Sequence, residues 1–468
     1  MATSILWFRR DLRLHDNAAL EWARDNSDTV IPVYIHSPEE EKPWAPGAAS
    51  RWWLHQSLEA LGKKLESRGL KLHFFSGSSE DVISSIIDEA NADTLVYNRL
   101  HEQHLHSRDL HLEKKLKDKL DVVSFDSGLF FAPGTILNNQ QLPYRVFTPF
   151  YKKIRPVLSP QYTDQSAASD GASIKAAIKT LASERSLMSL NLLGEHGWHS
   201  KLHPYWRPGE EGAHQLLDRF LEEAVAEYET GRDIPSHDST SQLSPYLHFG
   251  EITPRQILDA LWPLLSGEFG AAKANAAEVF LKQLIGREFA HNVLWHFPET
   301  ATQPMDKRYS KTFWRSSKAD YECWIKGETG IPIVDAGMKQ LWQTGWMHNR
   351  VRMIASSFLT KNLGIHWLHG AHWFWDTLVD ADLANNSLGW QWVAGCGVDA
   401  APYYRVFNPT TQTKRFDSRF EYIDTWLPEH VDLDYPSPIV DLGSSRDQAL
   451  DRYRQYITKQ NLQAGEKL

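Results

Sequence analysis

The chain of 468 residues is long enough for two or three domains of ordinary size. Apolar residues make up 42% and charged residues 23%, a balance that excludes an intrinsically disordered or fibrous protein. The formal net charge of −9 argues against a protein that binds nucleic acid non-specifically over its whole surface. A local basic groove is still compatible with this charge. The sequence has no apolar stretch near the roughly 18 residues of a membrane span, and its first apolar run is too short for a signal peptide. We therefore expect a soluble, cytoplasmic protein.

Two features of the composition bear on chemistry. Cys323 and Cys396 are too few for a disulfide framework, a four-thiolate zinc site or an iron–sulfur cluster. The chain also contains 19 tryptophans, an excess that is compatible with a cofactor or base-stacking role and equally with a tryptophan-rich helical core.

Residues 1–130 alternate between short apolar runs and segments of helical periodicity. The apolar runs of strand length are residues 5–8, 30–35, 72–75, 94–97 and 122–125. The clearest helical segments between them are 51–67 and 105–120. This alternation predicts an α/β domain over 1–130 with a doubly wound parallel sheet, although no GxGxxG fingerprint opens it.

The alternation of apolar runs and helical segments is lost after residue 126, where prolines become frequent, and helical periodicity returns at residue 211. We predict a long interdomain linker over 131–209, which includes a Ser/Ala/Asp/Gly stretch at 164–173. Helical periodicity then recurs at 214–229, 254–265, 272–291, 334–344, 349–362 and 371–378. Residues 210–468 are therefore predicted to form an all-helical domain.

Three polar groups in the helical region are candidates for a binding site. The segment 240–245 carries three hydroxyls in five residues, which suits a phosphate site and equally an ordinary helix cap. Asn349 and Arg352 share a helical face, which suits an anion site or a solvated surface. Asp380 and Asp382 suit a metal, an acid–base dyad or an ion pair with arginine. We expect no metal, because no histidine stands at ligand spacing from these aspartates.

Several motifs follow one another in a fixed order along the chain. They are Leu6-Trp7-Phe8-Arg9-Arg10-Asp11-Leu12-Arg13-Leu14-His15-Asp16-Asn17, Gly345-Trp346-Met347-His348-Asn349-Arg350, Trp390-Gln391-Trp392, Asp399-Ala400-Ala401-Pro402-Tyr403 and Phe407-Asn408-Pro409. In this order and spacing they resemble the photolyase/cryptochrome family, and most closely its bacterial cyclobutane pyrimidine dimer photolyases. The resemblance spans residues 4–428.

The resemblance implies an α/β antenna domain, a linker and a helical catalytic domain that binds FAD. It places Asn386 beside the reactive ring nitrogen of the flavin and pairs Arg352 with an aspartate. The FAD-binding residues that it implies are Tyr228, Thr240, Ser241, Gln242, Leu243, Ser244, Phe280, Arg287, Asn349, Arg352, Asp380, Asp382 and Asn386.

The resemblance also implies a mechanism. Excited FADH⁻ donates an electron to a pyrimidine dimer flipped out of UV-damaged DNA, the cyclobutane ring splits, and the electron returns. Trp390, Trp367 and Trp314 match the electron-transfer chain that reduces the flavin. The lesion and DNA contacts that it implies are Gln283, Gly286, Asn349, Arg350, Met353, Trp392, Arg405 and Arg232. We expect a monomer with no obligate protein partner and no membrane contact.

Two departures from the family pattern keep alternatives open. Dimer photolyases carry Glu where Gln283 stands and Trp where Gly286 stands, so a blue-light sensor without efficient repair is the alternative function. Folate-using members carry Asn-Glu where this chain has His104-Leu105. A second antenna chromophore is therefore of open identity: folate bound in another way, deazaflavin, a flavin and no antenna are all compatible.

Overall fold

The computed structural model describes residues 2–161, 181–195, 197–309, 313–400 and 404–458. The stretch 164–173 and Ala401, Pro402 and Tyr403 of the quoted motif lie outside these residues. Two compact units make up the chain, and each draws on several stretches. The sheet unit comprises Met1–Ile136, Ile154–Ala226 and Ser241–Glu288, and the helical unit comprises Leu137–Lys153, Glu227–Thr240 and Phe289–Leu468. The domain limits 1–130, 131–209 and 210–468 stay a prediction.

The sheet unit is built on five parallel strands in the order β3-β2-β1-β4-β5. The strands are β1 (Thr3–Phe8), β2 (Thr29–His36), β3 (His73–Ser76), β4 (Thr94–Asn98) and β5 (Asp121–Phe125). β1 is central and aligns Ser4 with Val30 on one side and with Thr94 on the other. Its apolar residues are buried on both faces, as a parallel sheet covered by helices requires. The predicted strands and the α/β class are confirmed.

The helices predicted at 254–265, 272–291, 334–344 and 371–378 are found close to these positions. The first nine are α1 (Ala18–Asn26), α2 (Ala48–Glu66), α3 (Ser79–Ala90), α4 (Gln103–Leu116), α5 (Phe147–Ile154), α6 (Glu210–Arg219), α7 (Tyr228–Gly231), α8 (Ser244–His248) and α9 (Pro254–Leu265). Those that follow are α10 (Ala271–His296), α11 (Lys318–Lys326), α12 (Pro332–Thr344), α13 (Asn349–Ser357), α14 (Trp367–Thr377), α15 (Leu383–Ala394), α16 (Pro409–Phe416), α17 (Glu421–Trp426) and α18 (Leu442–Tyr453). From residue 210 onward, the described part of the chain contains no strand.

Local capping explains several of these limits. Thr253 Oγ1 accepts a hydrogen bond from the backbone N–H of Gln256, and the Thr253 backbone N–H donates to Gln256 Oε1 in return, so this capping box starts α9 at Pro254. Gly345 ends α12 in the left-handed conformation, with φ of 70°. Asp382 caps α15 by accepting from the Asn385 backbone N–H.

Two helical predictions needed correction. α5 lies inside the stretch predicted to lack periodicity, because Pro149 falls in its first turn, where proline is tolerated. The helix predicted at 214–229 is not one regular α-helix. α6 ends at Arg219, and a π-helical turn (Phe220–Ala224) and a 3₁₀ turn (Val225–Glu227) separate it from α7. None of the described helices is long and apolar enough to cross a membrane.

Candidate functional site

An ion pair joins two of the predicted site residues in the helical unit. Arg352, on α13, donates from Nη2 to Asp380 Oδ2 at 2.9 Å and from Nε to the Met347 carbonyl at 2.7 Å. The Asp380 side chain is almost entirely buried and that of Arg352 is partly exposed. The ion-pair alternative therefore holds for Asp380, and the guanidinium is fixed by two contacts on one edge.

Asp382 has a different environment two residues later. Its Oδ1 accepts from the backbone and side-chain nitrogens of Asn385 at 2.9 and 2.7 Å, and its Oδ2 lies 3.4 Å from His291 Nε2. Asn386, one residue on, donates from Nδ2 to the Ala371 carbonyl at 3.0 Å, which leaves its amide oxygen available as an acceptor. Asp380 and Asp382 thus have different partners: Arg352 for Asp380, and Asn385 with His291 for Asp382.

Arg350 points away from Arg352, as their spacing on α13 predicts. Its Nη2 lies 2.7 Å from Asp233 Oδ1, and its guanidinium lies 4.4 Å from the centroid of the Phe416 ring. Arg232, beside Asp233, stacks over the buried ring of Tyr228 at 5.5 Å. Tyr228, Arg232 and Arg350 are therefore brought into one neighbourhood of the helical unit.

His348 belongs to the same neighbourhood and was missed as a site residue, although it lies within the quoted Trp-Met-His-Asn-Arg motif. It is 2% exposed, and its Nδ1 accepts from the Arg350 backbone N–H at 3.1 Å. Nε2 therefore carries the proton of the neutral ring. This Nε2–H has no hydrogen-bond partner among the described residues. Burial lowers the pKa of His348 to about 4, so this side chain is a neutral donor.

The three tryptophans of the predicted electron-transfer chain show a gradient of burial. Trp390 and Trp367 are buried, at 3% and 0% exposure, and Trp314 is partly exposed. Trp390 packs on Phe374 of α14, with ring centroids 5.0 Å apart. The ring of His366 lies 5.7 Å from Trp367 and 5.0 Å from Trp314, so it contacts both. The indole nitrogens of all three tryptophans have no hydrogen-bond partner in the described chain.

The predicted lesion residues of the helical unit form two small groups. Asn349 is exposed, and its Nδ2 lies 3.9 Å from the sulfur of Met353 one turn later. Trp392 lies under the exposed guanidinium of Arg405, which is 5.8 Å from its ring centroid. An amide, a thioether and an indole are surfaces on which a planar base can rest.

The other predicted residues belong to the sheet unit. Arg287 donates to the carbonyls of Gly128 and Leu247 at 3.1 and 3.3 Å, and the ring of Phe280 packs at a tilt against that of Phe220, with centroids 4.5 Å apart. Gln283 donates to the Val279 carbonyl at 3.2 Å, which is a bond within its own helix.

The hydroxyl segment divides between the two units, since Thr240 belongs to the helical unit and Ser241, Gln242, Leu243 and Ser244 to the sheet unit. Ser241 Oγ accepts from the Leu243 backbone N–H at 3.4 Å. In the described part of the chain, no group of three or more His, Cys, Asp or Glu side chains is placed to hold a metal ion.

Comparison with known proteins agrees with this arrangement. The family described as "DNA photolyase" matches residues 4–168, and the "FAD binding domain of DNA photolyase" matches residues 280–434. The deoxyribodipyrimidine photo-lyase of Agrobacterium fabrum is 40% identical over 480 residues, which cover 97% of this chain and 98% of that protein. Cryptochrome-2 of Arabidopsis thaliana is 34% identical over 498 residues, covering 97% of this chain and 79% of that protein.

The fold agrees as well. The crystal structure of a bacterial class III photolyase from Agrobacterium tumefaciens has a TM-score of 0.91 and 39% identity to this chain, and the match covers 98% of both. An N-terminal α/β region with a five-stranded parallel sheet, followed by a mostly helical FAD-binding region, is thus the architecture of this chain and matches that of photolyase structures. The chain belongs to the DNA photolyase family.

Proposed function

We propose that this protein repairs UV-damaged DNA by splitting cyclobutane pyrimidine dimers in a light-driven electron transfer. The observation that carries the proposal is the series Trp390, Trp367 and Trp314, whose burial decreases from the first two residues to the third. Oxidisable side chains in this order suit a route for electrons between a buried cofactor and solvent. The similarity to a deoxyribodipyrimidine photo-lyase over nearly the whole chain supports the same reaction.

The donors and acceptors of the helical unit fit FAD. A dinucleotide presents phosphate oxygens, ribityl hydroxyls and ring carbonyls, and these need cationic and neutral hydrogen-bond donors. His348 offers its Nε2–H as a buried neutral donor without a partner among the described residues, and Arg352 lies in the same helix. We propose that FAD is held by Tyr228, Thr240, Ser241, Gln242, Leu243, Ser244, Phe280, Arg287, Asn349, Arg352, Asp380, Asp382 and Asn386.

Reduced FAD, when bound and excited by light, supplies the electron that opens the cyclobutane ring and takes it back. The protein's own residues bind, orient and exclude water. Arg352, held by Asp380, presents a fixed positive charge, which stabilises an electron-rich cofactor. Trp390 packs in the core beside Phe374, so water is excluded from the first step of the electron route.

We infer that the dimer is received by Asn349, Met353 and Trp392, with DNA phosphates bound by Arg232, Arg350 and Arg405. Gln283 and Gly286 depart from the dimer-photolyase pattern, in which a tryptophan at residue 286 offers a stacking surface. A stacking wall contributes about 1–3 kcal/mol per base, so this loss reduces capture of the lesion more than electron transfer. Apart from its two neighbours and the backbone of its own helix, no described atom lies within 4 Å of a Cβ built at Gly286, so the space beside this residue is open.

The second candidate is a blue-light sensor that photoreduces flavin without efficient repair. The specific observations in its favour are the Gln283 and Gly286 departures and the 34% identity to a cryptochrome. The two candidates differ in what light does to damaged DNA. A second antenna chromophore is compatible with both.

The deciding experiment uses the purified, chemically reduced protein with an oligonucleotide that carries one thymine dimer. Loss of dimers under blue light, and none in the dark, supports repair. Normal light-driven flavin reduction without loss of dimers favours the sensor.

A further inference from the structure

An imidazole packs against the last two members of the tryptophan series. The centroid of the His366 ring lies 5.7 Å from that of Trp367, with 28° between the ring planes, and 5.0 Å from that of Trp314, with 58° between the planes. Trp367 is fully buried, whereas His366 and Trp314 are partly exposed. The three rings therefore form a continuous aromatic path from the core of the helical unit toward solvent.

The orientation of this imidazole is fixed by the helix that it caps. His366 is the N-cap of α14, and its Nδ1 accepts a hydrogen bond from the Leu368 backbone N–H at 3.1 Å. The imidazole therefore cannot turn away from Trp367, the first residue of α14, without breaking that bond. Serine, aspartate or asparagine would cap the helix as well, and none of them carries a ring. The ring is thus not needed for capping and is free to serve another purpose.

The segment that carries Trp314 is attached to the same place through its backbone. The Arg315 backbone N–H donates to the Gly364 carbonyl at 2.8 Å, and Arg315 pairs with Ile365 in a parallel bridge. Gly364 has a φ of 67°, and a Cβ at this position would lie 3.1 Å from Arg315 Cδ, so this close approach requires glycine. The chain next to Trp314 and the chain next to His366 are thus held in register, and the imidazole stays against the indole.

We propose that His366 is a positioning residue that couples Trp367 to Trp314 in the electron route. The proposal rests on the proposed function, because light-driven oxidation of Trp390, and then of Trp367, is what creates the demand for an electron at Trp367. One electron passes from Trp314 to the Trp367 radical cation, so Trp367 is restored and Trp314 becomes the radical cation. No proton moves in this step, and the imidazole is neither oxidised nor reduced.

The imidazole acts on this step in two ways. By packing against both indoles it sets their separation and orientation, and electron transfer slows steeply as the gap between two rings widens. Its ring atoms also occupy space beside both indoles, and closely packed atoms carry an electron more readily than a void does. Loss of the ring should therefore leave the positive charge on Trp367, deeper in the protein, where charge recombination is faster than at Trp314.

The test is flash excitation of the purified protein with oxidised FAD bound, in which the decay of the tryptophanyl radical is followed. In the wild type, a slowly decaying component should report the radical cation at Trp314. Trp314→Phe is the reference for a charge that stops at Trp367, and it should show fast decay only. His366→Asn keeps the cap of α14 and removes the ring, so its decay should resemble that of Trp314→Phe.

Two further variants separate the ring from the cap. His366→Phe restores an aromatic ring without the cap, so the slow component should return although the midpoint of urea unfolding is lower than in wild type. His369→Asn removes an exposed imidazole one turn later, whose ring centroid lies 5.7 Å from that of Tyr321, and it should behave as wild type. If His366→Phe does not fold, the comparison of His366→Asn with wild type still decides the question.

The outcomes separate this proposal from the proposed function. A slow component in His366→Asn equal to that of wild type overturns the role of His366 and leaves the proposed function intact. Loss of the slow component in a folded His366→Phe as well as in His366→Asn overturns coupling through the ring. Absence of any tryptophanyl radical in the wild type overturns the electron route and this coupling with it, whereas dimer removal by the chemically reduced protein tests the proposed function separately. Chemically reduced His366→Asn should repair as wild type does, because pre-reduced flavin does not need the route.

Discussion

The indole of Trp390 packs directly against the backbone of Gly370. A Cβ at Gly370 would come within 2.1 Å of Trp390 Cη2 and 2.5 Å of Cζ3. Gly370 lies three residues after Trp367 on α14, so it shares a helical face with that tryptophan. The absence of a side chain at residue 370 therefore leaves the space that Trp390, a member of the proposed electron-transfer series, occupies.

Gly370→Ala is expected to displace Trp390. Overpacking of this kind costs about 1–3 kcal/mol of unfolding free energy, and photoreduction of the flavin should slow because the indole leaves its position. Urea unfolding measures the first effect and flavin bleaching under blue light the second. Gly62→Ala is the matched control, because no atom lies within 4 Å of a Cβ at this helical glycine and the change should stabilise α2 by roughly 0.5–1 kcal/mol. Wild-type stability and photoreduction in Gly370→Ala would contradict this account of the packing.

Asp380→Asn is expected to weaken retention of FAD. The substitution leaves Arg352 without its charged partner, and loss of a hydrogen bond to a charged group costs about 1–3 kcal/mol. Because Arg352 is partly exposed, water compensates for some of this cost. The measurement is the flavin-to-protein absorbance ratio after gel filtration. Asp25→Asn, at an exposed pair with Arg24, is the control and should retain flavin normally. Equal retention in both variants would show that the Arg352–Asp380 pair does not hold the cofactor.

The buried neutral state of His348 predicts a loss of stability in acid. The pKa is about 4 in the folded protein and 6.5 when the side chain is free. Between these values the unfolded chain takes up a proton that the folded chain does not, so the free energy of unfolding falls as pH drops from 6.5 to 4, by up to about 3 kcal/mol. Above pH 6.5 the effect vanishes. The charged groups that face the ring are Asp233, Arg352, Arg350 and Arg232.

His348→Asn separates this contribution from those of other histidines. Asparagine can still cap α13, as His348 does through Nδ1, but it does not titrate. As the pH drops from 6.5 to 4, the free energy of unfolding of the wild type should therefore fall relative to that of His348→Asn. His111→Asn, at an exposed position, serves as the control. A difference that is constant from pH 7 to pH 4 would refute the assignment of a buried neutral imidazole.

The open position at Gly286 predicts a gain in lesion binding. Gln283→Glu combined with Gly286→Trp should tighten binding of dimer-containing DNA by at most about 10- to 100-fold, the contribution of one stacking wall. Affinity is measured at fixed salt beside undamaged DNA of the same length, because phosphate contacts depend on salt. The yield of splitting should change less than the affinity, since Trp392 is unaltered. Strong discrimination by the wild type that the double variant does not improve would show that these positions do not limit capture.

Patterns within one segment were readable from the sequence. The β1 to β5 runs and the start of α9 at Pro254 follow from local apolar spacing, and they are found at or within one or two residues of the positions that the sequence predicts. α5 was missed because Pro149 looks like a helix breaker until its place in the first turn is known. Arg350 and Arg352 lie on different faces of α13, and this also follows from helical spacing alone.

Contacts between distant segments were not readable in the same way. Two aspartates stand two residues apart, and only the folded chain shows that Asp380 pairs with Arg352 while Asp382 caps a helix. The hydrogen bond from Lys361 Nζ to the Ala394 carbonyl, at 2.6 Å, likewise joins two segments that no periodicity connects. Burial of His348 is likewise a tertiary effect, because nothing in the motif itself reports the solvent exposure of its members.

The most direct test of light-driven repair compares wild type with Trp390→Phe, each assayed with a thymine-dimer oligonucleotide in light and in darkness. When the flavin is first reduced chemically, both proteins should remove dimers under blue light and neither in the dark. When the flavin starts oxidised, only the wild type should become active, because Trp390 is the proposed first donor of the electron route. Trp22→Phe, a partly exposed tryptophan of α1, should match the wild type throughout. Failure of the chemically reduced wild type to remove dimers in light would contradict the proposed function.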